Sequence, residues 1–202
     1  MKRWQIINHY LKTRFSHKTA KYLEIGIHQG ENWLKINTQE MTGVDPKPIF
    51  KSSNILEMTS DDFFAQNKDT FDLIFIDGLH HQDQVARDFW NSFQYLNPDG
   101  IIILHDCAPN VYFETIGPRP KPHGRWNGDG YKAWINIRWS LPNSTFTIMT
   151  DEGLGIYDSR ERVKENTRMV KSDVIDVTWD GYKNNRSKWL NEISLDAFKA
   201  LT

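Results

Sequence analysis

Five polar residues stand at the ends of five short apolar runs. Glu24 lies within Tyr22-Leu-Glu-Ile-Gly-Ile27, and Asp45 follows Met41 to Val44. Ser60 follows Asn54 to Met58, Asp77 follows Phe71 to Ile76, and Asp106 follows Ile101 to Leu104. In an open parallel sheet, ligands bind outside the carboxyl ends of the strands, so these five residues are expected on one edge. The turn Glu24-x-Gly26-x-x-x-Gly30 lets the backbone pass close to a ligand, and the N–H groups beyond it suit an anion. Asp45, an acid about 20 positions later, suits the two hydroxyls of a ribose. The chemistry implied is nucleoside binding. A nicotinamide-dependent oxidoreductase using the same edge is the rival reading, and the absence of Gly-x-Gly-x-x-Gly, the spacing expected of a dinucleotide-binding dehydrogenase, argues against it. A non-catalytic sheet protein with a relic pocket is another, and the intact Asp45, Asp77 and Asp106 speak against it.

These residues need strands and helices to position them. Trp4, Ile6, Ile7, Tyr10 and Leu11 recur at helical spacing, predicting an amphipathic helix over 3–14. The run over 22–27 predicts a buried strand, then a tight turn and a helix over Glu31 to Ile36. Phe71 to Ile76 is apolar on both faces, as an interior parallel strand must be. Val85, Phe89, Phe93 and Leu96 mark one stripe of a helix over 81–96, ended by Asn97-Pro-Asp-Gly100. Ser60 is read as the cap of a helix over 61–66. Residues 108–130, rich in Pro and Gly, read as a lid or binding loop, and 131–140 as a helix. Thr145 to Met149 and Gly155 to Tyr157 read as a hairpin, and 160–202 as small helices, the last capped by Ser194. This order predicts an α/β fold, an open parallel sheet with helices on both faces, in a single domain over 1–202.

Composition narrows the partners. The 202 residues carry a formal net charge of -1, so no basic field draws the chain to nucleic acid or anionic lipid. Eight Trp within 13% aromatic residues must be buried or line a pocket. The lone cysteine, Cys107, forms no internal disulfide and suits a reducing compartment. No stretch reaches the ~20 apolar residues of a spanning helix, so a cytoplasmic protein is the simplest expectation.

YLEIGIHQG, GVDP, FDLIFIDGLHH and LNPDGIIILHD together resemble the class I S-adenosylmethionine-dependent methyltransferases. The nearest group is the metal-dependent O-methyltransferases of catechol and macrolide-sugar type. The resemblance covers 20–107 well and 144–157 loosely. It implies a Rossmann-like, seven-stranded, mostly parallel sheet with an antiparallel last strand. It implies that Glu24, Gly26 and Gly30 cradle the methionine part of the cofactor, and that Asn32, in the first helical turn, meets its carboxylate. Asp45 would hold the ribose, Ser60 and Asp61 would flank the adenine, and Asp77 would border the same site. Asp77 and Asp106 match the carboxylates that hold a divalent ion, which Mg²⁺ suits, and His80 matches a general base. Two departures stand out: His28-Gln29 replaces small residues, and Cys107 replaces an amide ligand. That leaves His80, His81, His105 and Asp129 as candidates for a third ligand.

Blander readings accompany each residue. Asp77 could cap the helix that follows, His81 reads as surface, His105 could bond backbone beneath the site, and Cys107 reads as a small buried side chain. The 118–132 stretch is read as the acceptor side, with Arg119, Lys121, Arg125 and Lys132 meeting an anionic group and Trp126 and Trp134 stacking on a ring. Lys132 and Asp129 are the residues singled out there. The expected reaction is methylation of a hydroxyl on a small molecule, a saccharide first, with Mg²⁺; a homodimer is left open. Methylation of nitrogen or of a protein side chain without metal is the milder alternative.

Overall fold

A computed structural model describes residues 1–16, 18–117, 125–160 and 175–201. Four parallel strands set the frame: β1 (Tyr22–Ile25), β2 (Met41–Val44), β4 (Phe71–Ile76) and β5 (Leu96–Leu104), with the two-residue β3 (Ile55–Leu56) at one edge. β6 (Thr145–Ile148), β7 (Leu154–Asp158) and β8 (Glu192–Ile193) extend the other side, giving the order β3-β2-β1-β4-β5-β7-β6-β8. β7 is antiparallel to both its neighbours, as expected. The sheet has eight strands rather than seven, because β8 adds a short parallel pairing to β6. The order reverses at β1, which lies between β2 and β4, so the switch point falls where Gly26 and Asp77 leave the sheet.

Alternation along β4 and β5 divides two cores. Leu73, Phe75, Ile101 and Ile103 face α1 (Arg3–Thr13) and α6 (Leu195–Leu201); Ile74, Ile76, Ile102 and Leu104 face α2 (Ser60–Gln66), α3 (Gln82–Gln94), α4 (Gly130–Ser140) and α5 (Trp179–Leu190). Each fully buried Ile or Phe contributes about 1.5–3 kcal/mol of transfer free energy, which secures the centre of the sheet.

Three local expectations change. The segment after β1 is one 3-10 turn, Trp33–Lys35, not a helix over 31–36. Asn32 points its side chain inward to Glu24, and Trp33 packs beside Tyr22, so the chain is drawn into the core rather than continuing a helix. The cap of α2 is Thr59, whose hydroxyl accepts from Asp62 N–H at 3.1 Å; Ser60 is inside the helix. The turn Asn97 to Gly100 is a bulge within β5, where Asp99 takes φ +63°. Ser194 caps α6 as read, its hydroxyl accepting from Ala197 N–H at 3.1 Å.

At the sheet's far end, Arg14 clamps Asp158 with two hydrogen bonds of 2.8 and 2.9 Å, and both side chains are largely buried. Burial pushes the Asp158 carboxyl up, but Arg14 and Arg160 override it and hold it at about 2. Folded Asp158 therefore titrates below its unfolded value of about 4. Its stabilisation is complete above that pH and is lost as pH falls from about 4 towards 2. Asp158→Asn is expected to cost about 1–2 kcal/mol at neutral pH after allowance for screening by solvent. Denaturant titrations at pH 7 and pH 2.5 check this: the gap between native and variant should narrow to less than half at the lower pH.

Candidate active site

The sheet edge builds itself from register. Ile25 pairs with Ile76 and Ile76 with Leu104, so the residues after the three strands emerge side by side. Asp77 N–H donates to Ile25 O at 2.8 Å and His105 N–H to Ile76 O at 3.0 Å, carrying the sheet one residue further. Gly26 leaves β1 at φ +91°, passing so close to Asp77 that a Cβ there would meet the Asp77 carbonyl oxygen at 2.1 Å. That glycine is a requirement of packing, independent of any ligand.

Beside it opens a cavity of about 570 Å³, lined by Glu24, Asn32, Asp45, Ser60, Asp61 and Asp77 among others. Glu24 is 1% exposed and accepts from Tyr22 Oη at 2.6 Å and Asn32 Nδ2 at 3.0 Å. Burial pushes its carboxyl up to about 7 against these hydrogen bonds. Asn32 precedes the 3-10 turn and spends its amide N–H groups on Glu24 and Tyr22, leaving Oδ1 buried without a partner. Asp45 Oδ2 accepts from the N–H groups of Ile27 and His28 at 2.9 and 2.8 Å, and Oδ1 from Lys47 N–H at 2.7 Å. The carboxylate thus shapes the glycine turn, where His28 sits at φ +46°, and Oδ1 keeps a lone pair for a ligand while Oδ2 is already doubly engaged. Ser60 turns its hydroxyl to Asp88 at 2.6 Å, and Asp61 is half exposed, 3.5 Å from Arg87. Gly30, at φ +76°, leaves space that Phe50 borders.

A second cluster adjoins the first. One ligating atom each from Asp77, His80 and Asp106 lies within 4.8 Å of the others. His80 Nδ1 is 3.0 Å from Asp106 Oδ2, and Nε2 is 3.4 Å from Asp77 Oδ1. His105 Nδ1 is 3.2 Å from Asp77 Oδ1 and 3.3 Å from Asp106 Oδ1, so it faces the acids rather than backbone. Burial alone would lower the His80 imidazole, but hydrogen bonds and charge from Asp106 and Asp77 raise it to about 10. Burial raises the two carboxylates, and His105 and His80 override it, holding both below the usual range. Metal-free, His80 is therefore an imidazolium rather than the neutral base expected near pH 7.

Asn127 completes this cluster. It donates Nδ2–H to Asp106 Oδ1 at 2.8 Å, is 2% exposed, and leaves its own Oδ1 without a partner. Gly128 follows at φ +62°, where a Cβ would strike His80 O at 2.1 Å, and Gly130 N–H donates to that same oxygen. The loop is thereby docked onto His80, and Trp126 stacks on the imidazole at 5.3 Å between ring centres. Two carboxylates are oxygen donors of the kind a hard divalent ion takes, and Asn127, lining the same small pocket, has an amide oxygen to spare. Asn127 escaped the sequence reading; its one signal was the amide missing at Cys107. Arg3 of α1 was also missed. It lines the cavity, with Nε 3.7 Å from Asp77 Oδ2 and its backbone N–H donated to Asp151.

Other expected residues fall elsewhere. Lys132, on α4, lines neither the large cavity nor the small pocket around Asp106. Asp77 caps no helix: α3 starts at Gln82, whose N–H donates to Asp129 at 2.7 Å. Asp129 is thereby spent on α3, not on a ligand role. Trp134 is wholly buried, its Nε1–H donated to Thr147 Oγ1, so it stacks on no acceptor. His81 is half exposed and Cys107 is a buried thiol, both as read. Arg125 is exposed beside Glu152; Arg119 and Lys121 lie outside the described residues.

Residues 23–107 match the family described as a methyltransferase domain. The likeness in sequence is to a methyltransferase over this stretch. The matched stretch runs from β1 through Asp106, so it holds both clusters except Arg3, Trp126 and Asn127. Solved structures share the class I methyltransferase fold. A Corynebacterium glutamicum protein superposes with a TM-score of 0.56 at 15% identity, over 77% of this chain and 79% of its own. An S-adenosylhomocysteine-bound methyltransferase from Podospora anserina scores 0.54 at 16% identity, over 77% and 86%. The O-methyltransferase TomG from Streptomyces achromogenes, solved with S-adenosylmethionine, scores 0.54 at 10% identity, over 77% and 78%. No curated protein matches the sequence. Among the described residues, no helix is long and apolar enough to cross a membrane.

Proposed function

We propose that this methyltransferase moves the methyl group of S-adenosylmethionine to a hydroxyl oxygen of a small molecule, a saccharide being the first class to test, with the aid of Mg²⁺. The observation that carries it is the meeting of Asp77, His80, Asp106 and Asn127 beside the cavity built on Glu24 and Asp45. The missing Gly-x-Gly disfavours a nicotinamide cofactor, and the oxygen donor set disfavours a metal-free nitrogen methylase.

Each residue has a task in this reading. Glu24 receives the cofactor's ammonium group, and Asp45 its ribose hydroxyls. Asp77, Asp106 and the amide oxygen of Asn127 would hold the ion. When bound, such an ion lowers the pKa of an acceptor hydroxyl and fixes its oxygen in line with the methyl–sulfur bond. An ion's charge on Asp77 and Asp106 would offset the pull that makes His80 an imidazolium; Nδ1 would then keep its proton towards Asp106, while Nε2, the more loosely held nitrogen, would take the proton that the acceptor loses. The oxygen–carbon bond forms as the carbon–sulfur bond breaks, leaving S-adenosylhomocysteine.

Calorimetric titration with S-adenosylhomocysteine, and with NADH for comparison, tests the cofactor. Dissociation constants on the order of micromolar are expected for the former alone. Affinity should fall as pH drops below about 7, because Glu24 must ionise to meet the ammonium. Glu24→Gln should bind weakly with a flat pH profile. Binding of NADH alone would overturn the reading.

A further inference from the structure

The cavity contains an acid that the methyl transfer chemistry leaves unused. Asp88 of α3 lines it and is 1% exposed, deeper than Asp61 at the rim. Ser60 Oγ donates to Asp88 Oδ1 at 2.6 Å and Gln84 Nε2 donates to the same oxygen at 2.9 Å. Oδ2 has no hydrogen-bond partner among the described residues. It looks towards Gly78, another residue of the cavity wall, where an added Cβ would lie 3.8 Å away. No Lys, Arg or His within the described residues forms an ion pair with it; Arg87, one position earlier, turns to Asp61 and Gln84. Burial raises the Asp88 carboxyl, in keeping with an acid that lacks a counter-charge. Oδ2 therefore keeps both lone pairs open to the cavity, where a ligand donor can reach it.

Two donors fixed on Oδ1 orient the group, so Oδ2 is offered as an acceptor at the end of the cavity built by α2 and α3. We infer that Asp88 is the residue that selects the purine of the cofactor, its Oδ2 accepting an N–H from the 6-amino group of adenine. Ser60 and Gln84 are its positioning residues, and Asp61 stays at the solvent rim. The inference rests on the S-adenosylmethionine reading above. A 6-oxo purine would set an oxygen against Oδ2 and be refused.

The test compares S-adenosylhomocysteine with S-inosylhomocysteine by calorimetry, on the native protein and on Asp88→Asn. Native protein should prefer the adenosyl ligand by about tenfold or more, the difference one charge-assisted hydrogen bond makes. In Asp88→Asn the amide keeps its oxygen towards Ser60 and Gln84 and turns its NH₂ into the place of Oδ2. That swaps an acceptor for a donor: adenosyl affinity should drop about 10–100-fold while inosyl affinity holds or rises. Native protein that binds both ligands equally overturns the inference without touching the cofactor reading. So does a variant that keeps the adenosyl preference or loses both ligands alike. Native protein that binds neither ligand overturns both.

Discussion

Asp106→Asn is expected to cut turnover by about a thousandfold or more while leaving S-adenosylhomocysteine affinity within about twofold. The split follows from position. Asp106 borders the small pocket with His80 and Asn127 and is not part of the lining of the large cavity. Its carboxylate is one of two charges that would hold a divalent ion, and the Lewis-acid contribution of such an ion is worth several kcal/mol, about tenfold in rate per 1.4 kcal/mol. Asparagine is the suitable probe. It keeps an oxygen for the Asn127 amide, now 2.8 Å away, and tolerates the left-handed backbone at this position, φ +57°. Single-turnover assays with and without Mg²⁺ check the prediction, alongside chelation of the native protein. Chelator should reproduce the loss in native protein and change nothing further in the variant. Full activity in Asp106→Asn would remove the metal from the mechanism while leaving the methyltransferase domain in place.

Gly26→Ala should unfold the protein or destabilise it by more than about 4 kcal/mol, a large part of the 5–15 kcal/mol a domain of this kind holds. The new methyl would lie 2.1 Å from the Asp77 carbonyl oxygen, 2.5 Å from its carbon and 2.8 Å from Gly78 Cα. All three are backbone atoms at the switch point of the sheet, so no side chain can rotate away. The φ of +91° adds strain of its own. Gly78→Ala is the control: its methyl meets Ile25 Cγ2 at 3.3 Å and should cost about 1 kcal/mol. Denaturant melts of both variants decide it. A Gly26→Ala protein as stable as Gly78→Ala would show that the strands can part at this point and that the register is looser than described.

Much of the fold could be read before any coordinates. The interior strands declare themselves because a parallel strand covered on both faces must be apolar along its buried length, and β4 from Leu73 onward and the end of β5 are. The five polar strand ends then follow, and the structure does bring Glu24, Asp45, Asp77 and Asp106 to one edge. What escaped detection depended on contacts distant in sequence. Asn127 reaches Asp106 only because a Gly-containing loop folds back over His80, and Asn-Gly by itself signals a turn and nothing more. Arg3 sits in an amphipathic helix whose inward direction no periodicity can reveal. Asp88 reads as one polar position on α3 until Ser60 is seen to point at it. Trp134 was placed at an acceptor because an aromatic residue at a helix start looks the same whether it faces solvent or core. Across the sheet, Gly155 leaves the space that its indole fills. β8 is two residues long, too short for any alternation to show.

The left-handed backbone at Asp106 has a further consequence. A non-glycine residue there carries on the order of 1 kcal/mol of conformational strain. Glycine would relieve it, and with it would go the carboxylate. Durability and chemistry therefore compete at a single codon: the substitution that best relaxes the chain is also one that disarms it. A lineage selected only for persistence would be free to drift towards glycine here, whereas one selected for turnover must retain a less comfortable residue.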